Sequence, residues 1–458
     1  MSETLSQAIP EPIEFTPDQL PDYQDIVAKN SVGTVPPQFT YHHKLDYGID
    51  NLSLDRYMSA EFHQREVEKV WKRVWQFACF EDDIPNVGDY ITYEITGISV
   101  IVTRSAPDQV SAFYNTCLHR GAALAEEPGN TREFMCPYHG WRYSLDGTLT
   151  RIPAAWDFPT TCPGKDRLPQ VQADTALGLV FISMDPSAPP LTEYLSPFPE
   201  YFSVYPPMNE RARSAWVRKI VPVNWKAAQE AFMEGYHLPT SHPQLADTTQ
   251  GYEMQYDGVG RHITRIMSAG LVPNWLLGPD ITEQELLDHY VEAMGMPSMP
   301  VPEGMTARAF FASMMREMQK ANGIDLSSAS DPEVLDSPLY YIWPNLVIWG
   351  GYAIPWMYRF RPNGSDPTSS IMEIFQLNVV PKGQQRTHIP MNELGDLPFA
   401  KADELGFLGP VLDQDHLNLR RQSIGLRSTP LPGLRYSRYQ ESLIRHHHHV
   451  LDEYLGRP

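Results

Sequence analysis

Cysteine is scarce in this chain, with four in 458 residues, at positions 79, 117, 136 and 162. So few thiols cannot supply a disulfide scaffold, and they fit a reduced, cytoplasmic protein. Excess positive charge is missing too. With 36 Lys and Arg against 56 Asp and Glu, the net charge of −20 argues against broad binding to nucleic acid or anionic lipid. The start, M-S-E-T-L-S-Q-A-I-P, has no basic region followed by an apolar run, so no secretory leader is expected. No dinucleotide fingerprint follows the glycines at 258–260, which run on into R-H-I. A membrane helix also lacks a candidate. The nineteen residues 340–358 carry no charge, but Pro344, Asn345, Gly350, Gly351 and Pro355 would break a span. Their Y-Y-I-W and L-V-I-W runs predict two buried strands joined near Gly350–Gly351.

What the chain does have is a set of soft and borderline metal ligands. Cys117 and His119 stand in C-L-H-R-G, and with sixteen residues between, His119 is followed by Cys136 and His139 in C-P-Y-H-G-W. A [2Fe–2S] centre with two imidazoles on one iron uses this donor set. A Cys2His2 zinc site is the alternative, but zinc fingers usually space the cysteine pair and the histidine pair separately. Here each thiol is paired with an imidazole, which favours the cluster.

Residues 1–45 are rich in Pro, Asp, Glu and Gln without a period. They predict an extended arm lying on the rest of the protein or on a neighbouring subunit. After Ser53, Val67, Val70, Trp71, Val74 and Trp75 recur at helical spacing. Short strands are expected next, at 91–95 and 99–103 around Gly97, at 110–115, at 134–135, and on either side of Asp146-Gly147. Both ligand pairs then fall on loops at strand tips. Gly121 and Gly140 are expected to bring backbone N–H groups close to the cluster sulfur.

A Pro-rich connection after Pro186 marks a change of texture. Beyond it the pattern predicts a strand at 217–223 and a helix from Asn224 with Trp225, Ala228, Gln229, Phe232 and Tyr236 on one face. Thr282 and Glu285 predict a capping box for a helix to about Met294. A helix over 305–320 carries the stripe Phe310, Phe311, Met314, Met315 and Met318, which reads as core, with the wall of an apolar substrate pocket as the second reading. Three or four strands over 339–380 and a last helix containing His446–His449 complete the chain. Four successive histidines on a helix point in different directions and do not converge on one ion. The order of elements predicts an α+β fold, an antiparallel sheet packed on helices.

A second metal site is suggested by His237 and His242. Five residues on a straight helix separate two side chains by roughly 140°. Pro239 lies between them and is expected to bend the chain and turn both imidazoles to one side. Asp413 and Asp415, at the start of an expected helix, offer a carboxylate. Two His and one carboxylate form the facial triad that leaves positions open on ferrous iron.

The strings C-L-H-R-G…C-P-Y-H-G-W-R-Y-S-L-D-G-T-L, N-W-K, E-G-Y-H-L-P-T-S-H and Q-D-H-L-N-L-R-R-Q-S-I-G-L together resemble the α component of Rieske non-haem iron oxygenases of the ring-hydroxylating group. The resemblance runs from about residue 50 to the end. It implies an all-β Rieske [2Fe–2S] domain at 76–185 inserted in a helix-grip catalytic domain formed by 46–75 and 186–458, with the arm at 1–45. It carries Cys117, His119, Cys136 and His139 over as cluster ligands, and His237, His242 and Asp415 as ligands of one Fe(II). Asp415 is chosen over Asp413 by its distance from G425-L-R-S.

Glu234 stands where the family usually has Asp, and is implied to link the iron site to a cluster His of an adjacent subunit in a homotrimer or hexamer. Arg420 replaces an acidic residue of the family's last-ligand helix, and the helix's Gln is shifted to Gln422. Ala122, Tyr138 and Trp141 replace the disulfide and hydroxyl donor of respiratory Rieske proteins, which predicts a low-potential centre. Electrons are implied to come from NAD(P)H through a separate reductase, with or without a ferredoxin. The implied reaction hydroxylates an apolar aromatic or alicyclic substrate with O2, as a mono- or cis-dihydroxylation. Oxidative O- or N-demethylation is the alternative within the family, and a pure Rieske electron carrier the alternative outside it. Substrate-binding residues are left open.

Overall fold

Every second residue of the strand Arg211–Val221 is buried, and this strand belongs to the largest sheet among the described residues. The computed structural model describes residues 20–336 and 338–456. The larger sheet has eight strands in the order 255–258, 263–267, 339–342, 346–349, 356–363, 366–379, 211–221 and 392–393. All neighbours run antiparallel except the last pair. One face carries Tyr340, Ile348, Met357 and Phe375 into a core shared with the arm; the other carries Val347, Tyr358 and Phe360 toward the helices Trp225–Glu230 and Leu408–Ser428. This second face is where the metal-ligand candidates gather.

The expected strand pair at 340–358 is present with its turn elsewhere. Leu339–Ile342 turns at Trp343–Asn345 into Leu346–Trp349, while Gly350–Gly351 leads on toward Trp356–Asn363. Pro344 has no N–H to give a ladder, and Asn345 binds the Phe360 backbone in both directions, which fixes the turn there. Gly350 serves packing instead, because a Cβ there would lie 3.0 Å from the Tyr205 ring.

The smaller domain is all-β. Seven strands run in the order 76–80, 179–183, 170–176, 109–114, 98–106, 89–95 and 129–130, beside a three-stranded sheet of 134–135, 142–143 and 149–151. Thr96 and Gly97 both have positive φ, as a two-residue hairpin turn between Ile95 and Ile98 requires. Arg359 fastens this domain to the larger sheet by donating to the carbonyls of Phe77 and Ala78, and Arg361 does so at Glu94.

Several helices depart from expectation. The segment after Ser53 forms three pieces, Asp55–Met58, Ala60–Glu66 and a π turn Val67–Trp71, although its whole predicted stripe is buried. The helix capped by Asn224 ends at Glu230 with all six residues buried, so Tyr236 lies beyond it and is exposed. The helix Ala307–Ala321 buries Phe311 but exposes Met318. It turns Arg308 and Arg316 inward because Asp336 and Asp331 meet them as ion pairs. The Thr282–Glu285 capping box opens Glu283–Ala293 as expected.

Of the arm, residues 1–19 lie outside the described residues. The remainder forms two short helices, Tyr23–Val27 and Pro37–Thr40, whose Tyr23, Ile26, Val27 and Phe39 join the core. Leu52–Ser53 pairs with Gly433–Leu434, tying the start of the catalytic region to its end. No helix among the described residues is long and apolar enough to cross a membrane.

Candidate metal centres

The two Cys–His loops are built alike. In each, the N–H of the glycine four residues after the cysteine donates to that cysteine's carbonyl, at 2.9 Å for Gly121 and 3.0 Å for Gly140. The cysteine N–H in turn donates to the carbonyl five residues on, Ala122 or Trp141, at 2.8 Å in both loops. The two glycines adopt φ of 72° and 73°, the left-handed region that closes such a loop. Their N–H groups each donate to the carbonyl of their own loop's cysteine.

Cys117 and Cys136 are buried in the small domain's core, while His139 is exposed and His119 half-exposed. The two imidazoles meet with Nδ1 atoms 3.1 Å apart. Two buried thiols facing two surface imidazoles on converging loops fit a cluster with one sulfur-ligated and one nitrogen-ligated iron. Sequence reasoning missed Tyr143. Burial, above all, holds its phenol protonated, and its oxygen lies 3.2 Å from the Cys117 sulfur and accepts from the Leu118 N–H. Its signal was a tyrosine in the strand Arg142–Tyr143 that directly follows the second loop. Trp141 stacks on His119, with ring centroids 5.1 Å apart.

The second centre starts from Pro239. Rather than bending one long helix, it opens a separate single turn, Leu238–Ser241, with His237 before it and His242 after it. That turn brings the imidazole centroids to 5.3 Å. Asp415, buried in the middle of Leu408–Ser428 rather than at a helix start, completes the group. One ligand atom from each of the three residues lies within 4.8 Å of the others. Asp415 Oδ1 is 2.9 Å from His242 Nε2 and 3.6 Å from His237 Nε2. Asp413 is occupied elsewhere, accepting from the N–H groups of Phe399 and Ala400.

Both Nδ1 atoms point away from the triad to fixed acceptors, Glu234 Oε1 at 2.7 Å and Gln414 Oε1 at 2.8 Å. An Nδ1–H so held leaves Nε2 as the free lone pair, the arrangement a metal-binding imidazole needs. Burial works against a charged His237, but the hydrogen bond and charge of Glu234, with Asp415, outweigh it and raise its pKa.

The family model for the ring hydroxylating alpha subunit (catalytic domain) matches residues 207–457, and that for the Rieske [2Fe-2S] domain matches 74–162. The chain belongs to the ring-hydroxylating alpha subunits. Among curated relatives, carnitine monooxygenase oxygenase subunit of Escherichia coli is 30% identical over 42% of this chain and 52% of its own length. Anthranilate 1,2-dioxygenase large subunit of Acinetobacter baylyi is 30% identical over 44% and 45%. N,N-dimethyl phenylurea N-demethylase subunit alpha of a Sphingobium is 33% identical over 40% and 42%. The chain thus spans about half the length of the curated relatives it matches. In fold it is similar to the quaternary ammonium Rieske monooxygenase CntA with L-carnitine, at TM-score 0.62 and 18% identity over 89% of this chain and 96% of that one. Naphthalene 1,2-dioxygenase with indole gives 0.60 and 17% over 89% and 94%.

Glu234 meets its own His237 twice, at the imidazole and at the backbone N–H. The helix glutamine that touches the triad is Gln414, about two turns before Gln422. Arg420 is exposed and lines a groove of about 490 Å³ with Lys219, Glu393 and His416. Because a hydrogen bond to ligand sulfur raises a cluster's potential, Tyr143→Phe is expected to lower the midpoint by tens of millivolts, on the order of one bond. Redox titration followed by visible absorption checks this.

Proposed function

We propose that this chain is a terminal oxygenase that inserts oxygen from O2 into a small, largely apolar substrate. The observation that carries the reading is the His237–His242–Asp415 triad with both outer imidazole nitrogens already fixed. In this reading Cys117, His119, Cys136 and His139 hold the [2Fe–2S] cluster, and the triad holds one ferrous ion. When bound, these groups supply one-electron transfer and oxygen activation. Electrons come from NAD(P)H through a separate reductase, with or without a ferredoxin. Residues 76–185 form the cluster domain, 46–75 with 186–458 the catalytic domain, and the assembly is a homotrimer or a doubled one.

The substrate reading rests on the sheet face that also carries the triad. Phe232 packs against Tyr358 and Phe360 with centroids 5.0 and 5.4 Å away, and the Asp415 charge reaches Tyr358. Such a wall binds aromatic or alicyclic hydrocarbons. Its ring faces also suit N-methyl groups, the observation that favours oxidative demethylation as a second reading. Supplying aromatic hydrocarbons, N-methyl arylureas and methylammonium compounds to metal-loaded enzyme under labelled O2, with mass spectrometry of products, separates the two. Hydroxylation leaves labelled oxygen in the product, whereas demethylation releases the demethylated amine and formaldehyde; detection of neither a labelled alcohol nor formaldehyde would end both.

Glu234 is the positioning residue between the centres. Glu234→Ala is expected to keep the cluster and, with excess ferrous ion, the iron, while turnover uncouples. The test is hydrogen peroxide released per product formed, and an unchanged ratio would reject the role.

A further inference from the structure

The histidine run at 446–449 is not used by either centre, yet one member of it grips the loop that carries the iron ligands. His448 Nε2 lies 2.8 Å from Glu230 Oε1. The same carboxylate accepts from Tyr57 at 3.0 Å and from Tyr436 at 2.9 Å. Tyr57, Glu230 and His448 are all buried. Glu230 is the last residue of the helix Trp225–Glu230, and its carbonyl accepts from the Met233 N–H at the start of the turn into Glu234 and His237. At the far side of that turn Gly235 N–H donates to Tyr256, whose hydroxyl donates to Gln440. The segment from Tyr436 to His448 thus holds the loop at both ends.

We propose that Glu230, held by Tyr57, Tyr436 and His448, is a positioning residue for the Glu234–His237 loop, and that its ionisation tightens metal binding at the triad. This rests on the triad being a metal site. Three donors aimed at one carboxylate are best satisfied when it is ionised; once protonated it brings a donor of its own, and a tyrosine hydroxyl, Tyr57 or Tyr436 (2.9 Å apart), has to redirect its proton to accept it. Burial, above all, raises the Glu230 pKa, to about 7, against the lowering pull of Tyr436, Tyr57, Lys226 and Arg56. His448 does not compete for the proton, because burial, with Arg56 and Lys226, holds it neutral. The other charges facing the group are Glu66, paired with Lys226 at 2.5 Å, Asp452, paired with Arg56, and Glu441, itself raised chiefly by burial. The sign follows: above about 7 the carboxylate is ionised and the loop is held, and below it the hold is lost.

The test uses the full chain with its cluster, stripped of mononuclear iron, and Co²⁺ as probe, read by visible absorption. Glu230→Gln mimics the protonated acid. The ratio of its Co²⁺ dissociation constant to that of wild type is expected to rise from near one at pH 6 to about tenfold at pH 8. Titration of the ligands themselves is common to both proteins and cancels in the ratio. Tyr436→Phe removes one donor and is expected to give a smaller rise centred at higher pH; it decides the matter where the glutamine variant does not fold. A ratio that is flat with pH overturns the proposal. Wild type that binds no Co²⁺ at all overturns the metal-site reading itself, a separate outcome.

Discussion

His242→Ala is expected to lose the mononuclear iron and every O2-dependent product while keeping the cluster's visible spectrum. The imidazole lies 2.9 Å from Asp415 on one nitrogen and 2.8 Å from Gln414 on the other, so its removal takes a ligand and unties the helix Leu408–Ser428 from the two-histidine turn. Iron per chain should drop by about one after ferrous reconstitution, because the cluster ligands sit in another domain. Gln414→Ala keeps the ligand and loses only its orientation, which costs about 10–100-fold in metal affinity. Metal analysis and ferrous titration check both. A His242→Ala protein with wild-type iron content would show that the three residues do not hold the ion.

Arg359→Ala is expected to destabilise the protein by about 3–5 kcal/mol, as removing one partner of a buried ion pair does. Arg359 meets Glu373 with two nitrogens, at 2.7 and 2.8 Å, and its remaining donor serves the Phe77 and Ala78 carbonyls of the cluster domain. Burial pushes the Glu373 pKa up, but Arg359 and Arg361 outweigh it and bring it down to about 2. A carboxylate depressed in the folded state contributes stability above its unfolded pKa and loses it as pH falls toward the folded one. For Glu373 that window runs from about 4.5 to about 2, on the order of 3 kcal/mol. The variant should therefore unfold at a higher pH in acid titration as well as at lower urea, followed by near-ultraviolet circular dichroism. Unchanged midpoints in both would contradict the assigned ion pair.

The cluster loops were legible because Cys and His are rare and their spacing is local. His237 and His242 were legible as a pair, and Pro239 as the cause of their convergence, although it starts a turn where a bend was expected. Tyr143, Gln414 and His448 were not legible. Each acts across a separation that no local period records, 26 residues to Cys117, 172 to His242 and 218 to Glu230. The buried face of Ala307–Ala321 was misjudged for a similar reason, since Arg308 and Arg316 turn inward only because Asp336 and Asp331 wait there.

By itself the sequence determined the α+β order of elements, the family and two candidate ligand sets, Asp415 among them by resemblance, because ligand chemistry and hydrophobic period are written in neighbouring residues. Only the tertiary structure decided what Asp413 does instead, accepting from the Phe399 and Ala400 N–H groups, which groups hold the outer nitrogens of the imidazoles, and that the histidine run reaches Glu230 beside the Glu234–His237 loop. Those choices depend on which side chains the sheet and helices bring within hydrogen-bond reach, a distance that the order of residues along the chain does not contain.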